Sequence, residues 1–168
     1  MTVTDVTKDR ANRTLTLTAE YPATPEHVWQ LWSDPRLLER WWGPPTYPAT
    51  VVEHDLRPGG RVTYFMTSPE GERFHGYWAI ETVDAPSGLA FEDGFADAEG
   101  TPSDAMPTSR SEVSIQAADA DTTRMTITSI FPSDEAMDQL IQMGMEEGLR
   151  LAVGQTDELL REAVTARP

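Results

Sequence analysis

The chain contains no cysteine. Disulfide frameworks, thiolate catalysis and cysteine-ligated metals are therefore excluded. No run reaches the roughly 18 consecutive apolar residues that mark a membrane-spanning helix. The opening segment MTVTDVTKDRANRTLTLT has no apolar core of signal-peptide length, so the expected location is the cytoplasm. Basic residues are scarce: 13 Lys and Arg stand against 28 Asp and Glu, for a net charge of −15. Phosphate backbones are bound by clustered cations, and anionic membranes also recruit them. Neither nucleic acid nor a membrane is expected as a partner. The acidic excess reads most simply as a solubility device.

Catalytic signatures are missing as well. There is no GxSxG elbow, no phosphate-cradling glycine loop and no GxGxxG. His27, His54 and His75 show neither HxxxH nor HxE spacing, so no metal and no cofactor is expected.

What is present is an ordinary globular composition, 39% hydrophobic and 24% charged, over 168 residues. A chain of this length buries roughly 70% of its unfolded surface and can build one domain without a staple. Residues 1–12 are polar and read as a flexible N-terminus, frayed or lying along an edge. Leu15, Leu17 and Ala19 then alternate with threonines, the period of a half-buried strand.

Thr24-Pro25-Glu26 has the cap, the first-position proline and the first-turn acid of a helix start. Val28, Leu31 and Trp32 share one face of that helix. Ser33-Asp34-Pro35 caps a second short helix carrying Leu37, Leu38, Trp41 and Trp42, and Gly43-Pro44-Pro45 ends it. From residue 49 to 131 the texture is strands and turns, with a long polar loop over 94–109 and no helical period. Ser133 then caps a run of apolar residues from Met137 to Leu160 at helical spacing. That spacing predicts a helix of roughly 30 residues, about 45 Å long.

Short strands joined by turns form an antiparallel meander, and its apolar face must be covered. The fold class read from this order is α+β, a helix-grip fold. A curved antiparallel sheet of about six to seven strands holds two short helices after its first strand. A long C-terminal helix lies over an apolar cavity. The domain spans 13–163 and a tail follows over 164–168.

Several residues carry a resemblance to a known family. They are Pro25, Val28-Trp29, Leu31-Trp32 and Leu38-Glu39-Arg40-Trp41-Trp42-Gly43-Pro44. Asp55-Leu56-Arg57-Pro58-Gly59-Gly60-Arg61, Phe74-His75-Gly76 and Met143-Gly144-Met145-Glu146-Glu147-Gly148 complete the set. The chain resembles, over roughly 13–163, the activator-of-heat-shock-chaperone-ATPase-homologue group of the START and birch-pollen-allergen-like (SRPBCC) superfamily. The resemblance implies the helix-grip fold. It leaves the chemistry open, because that superfamily includes lipid carriers, polyketide cyclases, sensors and chaperone activators.

The resemblance implies that the pocket face holds Val62, Tyr64 and Met66, since in the family pattern those positions, rather than Thr63 and Phe65, are the bulky apolar ones. By alternation Trp78 with Ile80, Phe91 with Asp93, and Met125 with Ile127 share that side; these residues otherwise simply fill the core. Trp42 is expected at the cavity border beside a core-filling Trp41. Ile141, Met145 and Gln155 lie on the inner stripe of the long helix, where an amide needs a backbone or ligand partner. Gly144 and Gly148 on that helix suggest either room for a ligand or close packing on a strand. Asp93 is the one candidate for catalysis. It either faces the pocket, where burial raises a carboxyl pKa, or it sits at the wet start of the 94–109 loop. That loop is either a lid or a plain surface loop. Asp55, Arg57 and Arg61 read as a turn network or an anion site.

The first functional expectation is binding of a small apolar or aromatic molecule. The second is a polyketide cyclase or hydrolase-like enzyme in the same cavity. A heat-shock chaperone partner comes third, since the chain shows no counterpart of the extra N-terminal domain associated with full activators. Homodimers are common in such domains, and nothing in this chain specifies an interface.

Overall fold

The computed structural model describes residues 3–165. Eight antiparallel strands form one sheet in the order β1-β2-β8-β7-β6-β5-β4-β3. They are β1 (Val3–Asp9), β2 (Thr14–Tyr21), β3 (Ala49–His54), β4 (Arg61–Thr67), β5 (Arg73–Asp84), β6 (Gly88–Ala96), β7 (Ser109–Ala117) and β8 (Thr123–Ile130). Helices α1 (Pro25–Ser33) and α2 (Pro35–Trp41) follow β2, and α3 (Asp134–Gln142), α4 (Met145–Val153) and α5 (Thr156–Thr165) follow β8. This is the α+β helix-grip arrangement, with one strand more than the sequence pattern suggests.

The extra strand lies in the segment read as a flexible N-terminus. Of the two readings of that segment, the structure shows the one along an edge: Val3–Asp9 pairs along β2 at the sheet edge, and Val3 and Val6 pack against the core. Charges hold it from the other side. Lys8 pairs with Glu146 at 3.2 Å, and Arg10 grips Asp138 with two bonds of 2.5 and 2.8 Å. Arg13, in the turn between β1 and β2, reaches Asp134 at 3.1 Å. The hairpin thus straps α3 and α4 to the sheet through exposed pairs. Met1 and Thr2, and residues 166–168 of the expected tail, lie outside the described residues.

Strands β2 and β3 stand far apart in the sheet, so the chain crosses its concave face between them, and α1 and α2 make that crossing. Thr24 and Asp34 accept backbone N–H bonds as their N-caps, and each helix starts with proline. The first helix sends in Val28, Leu31 and Trp32, the second Leu38 and Trp41. Trp32 and Trp41 meet edge to face at 4.9 Å, and Trp78 stacks on Phe91 at 4.1 Å. The indole N–H of Trp41 donates to Leu31 O at 2.9 Å, and that of Trp32 donates to Met125 Sδ at 3.3 Å. Gly43 then turns the chain so tightly that a Cβ would lie 2.1 Å from Tyr47 O.

The C-terminal helix is not continuous, which corrects the expected single helix of about 30 residues. Gly144 has φ +94°, the left-handed region where only glycine sits without strain, and it separates α3 from α4. A second break at Gly154 and Gln155 separates α4 from α5. Apolar residues keep helical spacing across both breaks, so periodicity does not reveal them. The second break is pinned: Gln155 Nε2 donates to Gly43 O at 2.8 Å and Trp41 O at 3.3 Å, tying the helix junction to the end of α2.

The two glycines of this cover have opposite requirements. Gly144→Ala forces a left-handed alanine and should destabilise the fold by about 1–2 kcal/mol. Gly148 is inside α4, and a Cβ added there would meet no heavy atom within 4 Å, so Gly148→Ala should stabilise by about 0.5–1 kcal/mol. Urea unfolding of both variants checks this, and shifts of the same sign would refute it.

Candidate functional site

The apolar interior comes in two clusters. The larger is built on the tryptophans of α1, α2 and β5; the smaller joins Leu15, Phe131, Met137 and Leu140 under α3. A cavity of about 590 Å³ is lined by members of both. It opens at the end of the sheet where Met66, Gly76, Asp93 and Ser109 lie, and α3 and α4 cover it.

Of the residues expected around a pocket, Trp42, Tyr64, Met66, Asp93 and Met145 line this cavity. Trp78, Phe91 and Met125 do not. They are fully buried, one alternation further along their strands, beneath the crossing helices. Strand alternation assigns a face but not a position along it. Ile127 on β8 is in the cavity wall, and Met125, two residues earlier, is under Trp32. Ile141 packs on the smaller cluster outside the cavity wall, where its neighbours Leu140 and Met143 stand instead. Gln155 is also outside it, because its amide is spent on the backbone carbonyls of α2 and the following turn. The Asp55-to-Arg61 turn lies elsewhere: Arg57 pairs with Asp55, and Arg61 pairs with Glu53 at 2.8 Å.

Asp93 is within β6, opposite Trp78 in β5 and Ser109 in β7. Its strand does not fray before it, so the carboxyl stays inside the domain. Desolvation pushes its pKa from the ordinary 3.8 up to about 7, and a hydrogen bond from Tyr64 works against this. That bond is long: Tyr64 Oη donates to Asp93 Oδ1 at 3.3 Å. Burial, and then the neighbouring Asp93 charge, raise the Tyr64 phenol well above its usual range. Among the described residues no Lys, Arg or His forms an ion pair with Asp93.

Tyr64 reaches Asp93 because Gly76 lies beneath it. The two are register partners on β4 and β5, and a Cβ at position 76 would come within 2.4 Å of Tyr64 Oη. Gly94 stands in the same relation to Tyr77 on the other face, with a Cβ 2.7 Å from the ring. A glycine paired with an aromatic across two strands is a known sheet device, in which the ring covers the bare backbone.

Sequence reading missed the serines. Ser109, Ser111 and Ser129 are buried in the cavity wall, and their hydroxyls make no hydrogen bond among the described residues. Ser111 and Ser129 face each other across β7 and β8. Their signal was present: a serine at every inward position at the start of β7 is unusual for a strand otherwise facing a core. Pro107, at the end of the 97–108 loop, also lines the cavity, and Gln139 of α3 touches Met106. At the rim Tyr47, Phe74, Met143 and Leu151 are exposed apolar side chains. No helix among the described residues is long and apolar enough to cross a membrane, and no three His, Asp or Glu side chains converge as a metal site.

The carboxyl gives the stability of the fold a pH signature. The folded chain holds a proton on Asp93 that the unfolded chain releases above about pH 4. That stabilisation is complete below about pH 4 and is lost as the pH rises through about 7, by at most about 1.4 kcal/mol per pH unit. Relative to wild type, Asp93→Asn should therefore gain stability steadily over that window and level off above it. Urea unfolding at stepped pH checks this; a difference that does not change with pH would count against a buried, proton-holding carboxyl.

Comparison with known proteins matches this architecture. The protein Ms6760 from Mycobacterium smegmatis shares 49% identity, covering 94% of this chain and 96% of that one, with a TM-score of 0.86. A protein from Arthrobacter aurescens, solved by NMR, shares 45% identity over 96% of this chain and 93% of that one, with a TM-score of 0.91. DynU16, a protein in the dynemicin biosynthetic locus, shares only the fold. Its identity is 17%, its TM-score 0.57, and the match covers 84% of this chain and 46% of that one. No curated protein matches the chain. Residues 22–161 match the family model described as activator of Hsp90 ATPase homolog 1-like protein, and the chain belongs to that family.

Proposed function

We propose that this protein binds a small apolar or aromatic molecule in the cavity between the sheet and helices α3 and α4. The observation that carries the reading is the cavity itself, about 590 Å³ walled mostly by Trp42, Tyr64, Met66, Met145 and other apolar side chains. Its size falls within the range usual for small-molecule sites, and a few polar groups in an otherwise apolar wall are the common pattern of such sites. Methionine and aromatic side chains adapt to irregular ligands.

A titration with an uncharged solvatochromic dye such as Nile red tests the reading. Wild-type protein should give saturable, one-site binding. Gly148 offers a way to block the site, because a side chain added there enters open space at the cavity wall. Gly148→Leu should weaken dye binding at least about tenfold without lowering the unfolding midpoint, since about 1.4 kcal/mol of lost contact suffices for that factor. Absence of saturable binding by wild type, or equal binding by the variant, would defeat the proposal.

A second reading is proton transfer on a bound substrate, as in a polyketide cyclase-like enzyme. Its support is Asp93, a carboxyl facing the cavity beside Tyr64 with a pKa pushed up to about 7. A general acid or base works best with a pKa near the working pH. In this reading Asp93→Asn removes turnover of a bound substrate without removing its binding.

A further inference from the structure

Most polar groups of the cavity wall can accept a hydrogen bond; the indole N–H of Trp42, buried and without a partner among the described residues, is a donor only. Asp93 is an acceptor when ionised. Ser109, Ser111, Ser129 and the Tyr64 hydroxyl each offer lone pairs to a ligand. No Lys or Arg lines the cavity, and the ionisable groups in the wall besides Asp93 are Tyr64, Tyr47 and His75. Asp93 accepts one long hydrogen bond and has no ion-pair partner among the described residues. Asp93 is half-buried, and a carboxylate partly withdrawn from water without a counter-charge is costly unless something brings it a cation or donors. The Tyr64 ring, which carries the hydroxyl bonded to Asp93, and the Trp42 ring, 6.2 Å from it and perpendicular, line the same cavity, and aromatic faces attract cations.

We propose that the ligand is an organic cation: a protonated amine carried on an apolar or aromatic body, its nitrogen against Asp93 and its body along Met66, Ile127 and Met145. The inference rests on the cavity-binding reading above and names its ligand class. An ammonium supplies up to three donors, enough for Asp93 and the nearest serine hydroxyls. A neutral alcohol satisfies fewer of these acceptors. A carboxylate meets the like charge of Asp93 and no Lys or Arg, with only neutral hydroxyls, the Trp42 indole N–H and His75 as side-chain donors in the wall. The net charge of −15 works in the same direction, raising the local concentration of cations and lowering that of anions around the domain.

Three fluorescent probes of one shape separate the cases: anthracenylmethylamine, anthracenylmethanol and anthracenecarboxylate. They are titrated into the full chain at about pH 8, where the amine is charged and Asp93 is ionised. Wild-type protein should bind the amine about tenfold or more tighter than the alcohol, and the carboxylate weakest. Asp93→Asn, which keeps the side-chain shape, should bring the amine down to the level of the alcohol. The ranking in the wild type needs no variant and stands even if that variant folds poorly. Equal or better binding of the alcohol or the carboxylate overturns the inference and leaves the cavity reading intact. An amine preference that survives in Asp93→Asn also overturns it, because the preference then belongs to the surface charge. If none of the three probes binds, the cavity reading falls and the inference falls with it.

Discussion

The aromatic wedge under the crossing helices is the constraint on which the site depends. A strand order that places β2 and β3 far apart requires the chain to cross the concave face of the sheet. The crossing helices carry Trp32 and Trp41, which fill the half of that face floored by Trp78 and Phe91. Large rings so placed bury much area per residue and lock through edge-to-face contacts. They also consume the volume at that end. The other half of the face is left to α3 and α4, which carry no tryptophan and are held in part by surface ion pairs. An unfilled space of this size in a protein interior would normally cost stability. Here it coincides with the weaker half of the cover.

The chemistry of that space follows from where it lies along the strands. On β6, Phe91 falls under the wedge and Asp93 falls past it. On β7, Ser109 and Ser111 lie in the open half, and Val113 and Ile115 in the filled half. These two strands therefore change character along one face, apolar where α1 and α2 cover it and acidic or hydroxylic in the cavity wall. A core would not tolerate Asp93 with one long hydrogen bond, but a cavity that admits a partner can.

Much of this was legible in the residues. Caps, prolines and alternation located the two short helices and an antiparallel sheet of about six to seven strands, and the Trp-Trp-Gly-Pro and Asp-Leu-Arg-Pro-Gly-Gly segments pointed to the family. The edge strand at Val3–Asp9 was hidden because its own residues are polar and its order comes from β2 and from ion pairs distant in sequence. The helix breaks were hidden because apolar spacing runs through them, although Gly144 and Gly154 mark both. Within the site, alternation identified the inner face of each strand, but depth along the strand is set by which helix lies above. Trp78, Phe91 and Met125 therefore went to the core, and Ser109, Ser111 and Ser129 were overlooked. Gln155 was placed on the inner stripe, where its partners turned out to be carbonyls released at the end of α2.

The pairing of Tyr64 with Gly76 has a consequence for how such a protein can change over time. The ring occupies the space that any side chain at position 76 would need, so neither position can drift alone. A larger residue at 76 is tolerable only with a smaller one at 64, and that exchange removes the one side-chain donor that reaches Asp93 among the described residues. A lineage that exchanges the pair would have to give up the carboxyl or find it a new donor. Three positions on three neighbouring strands are thereby bound into one heritable unit.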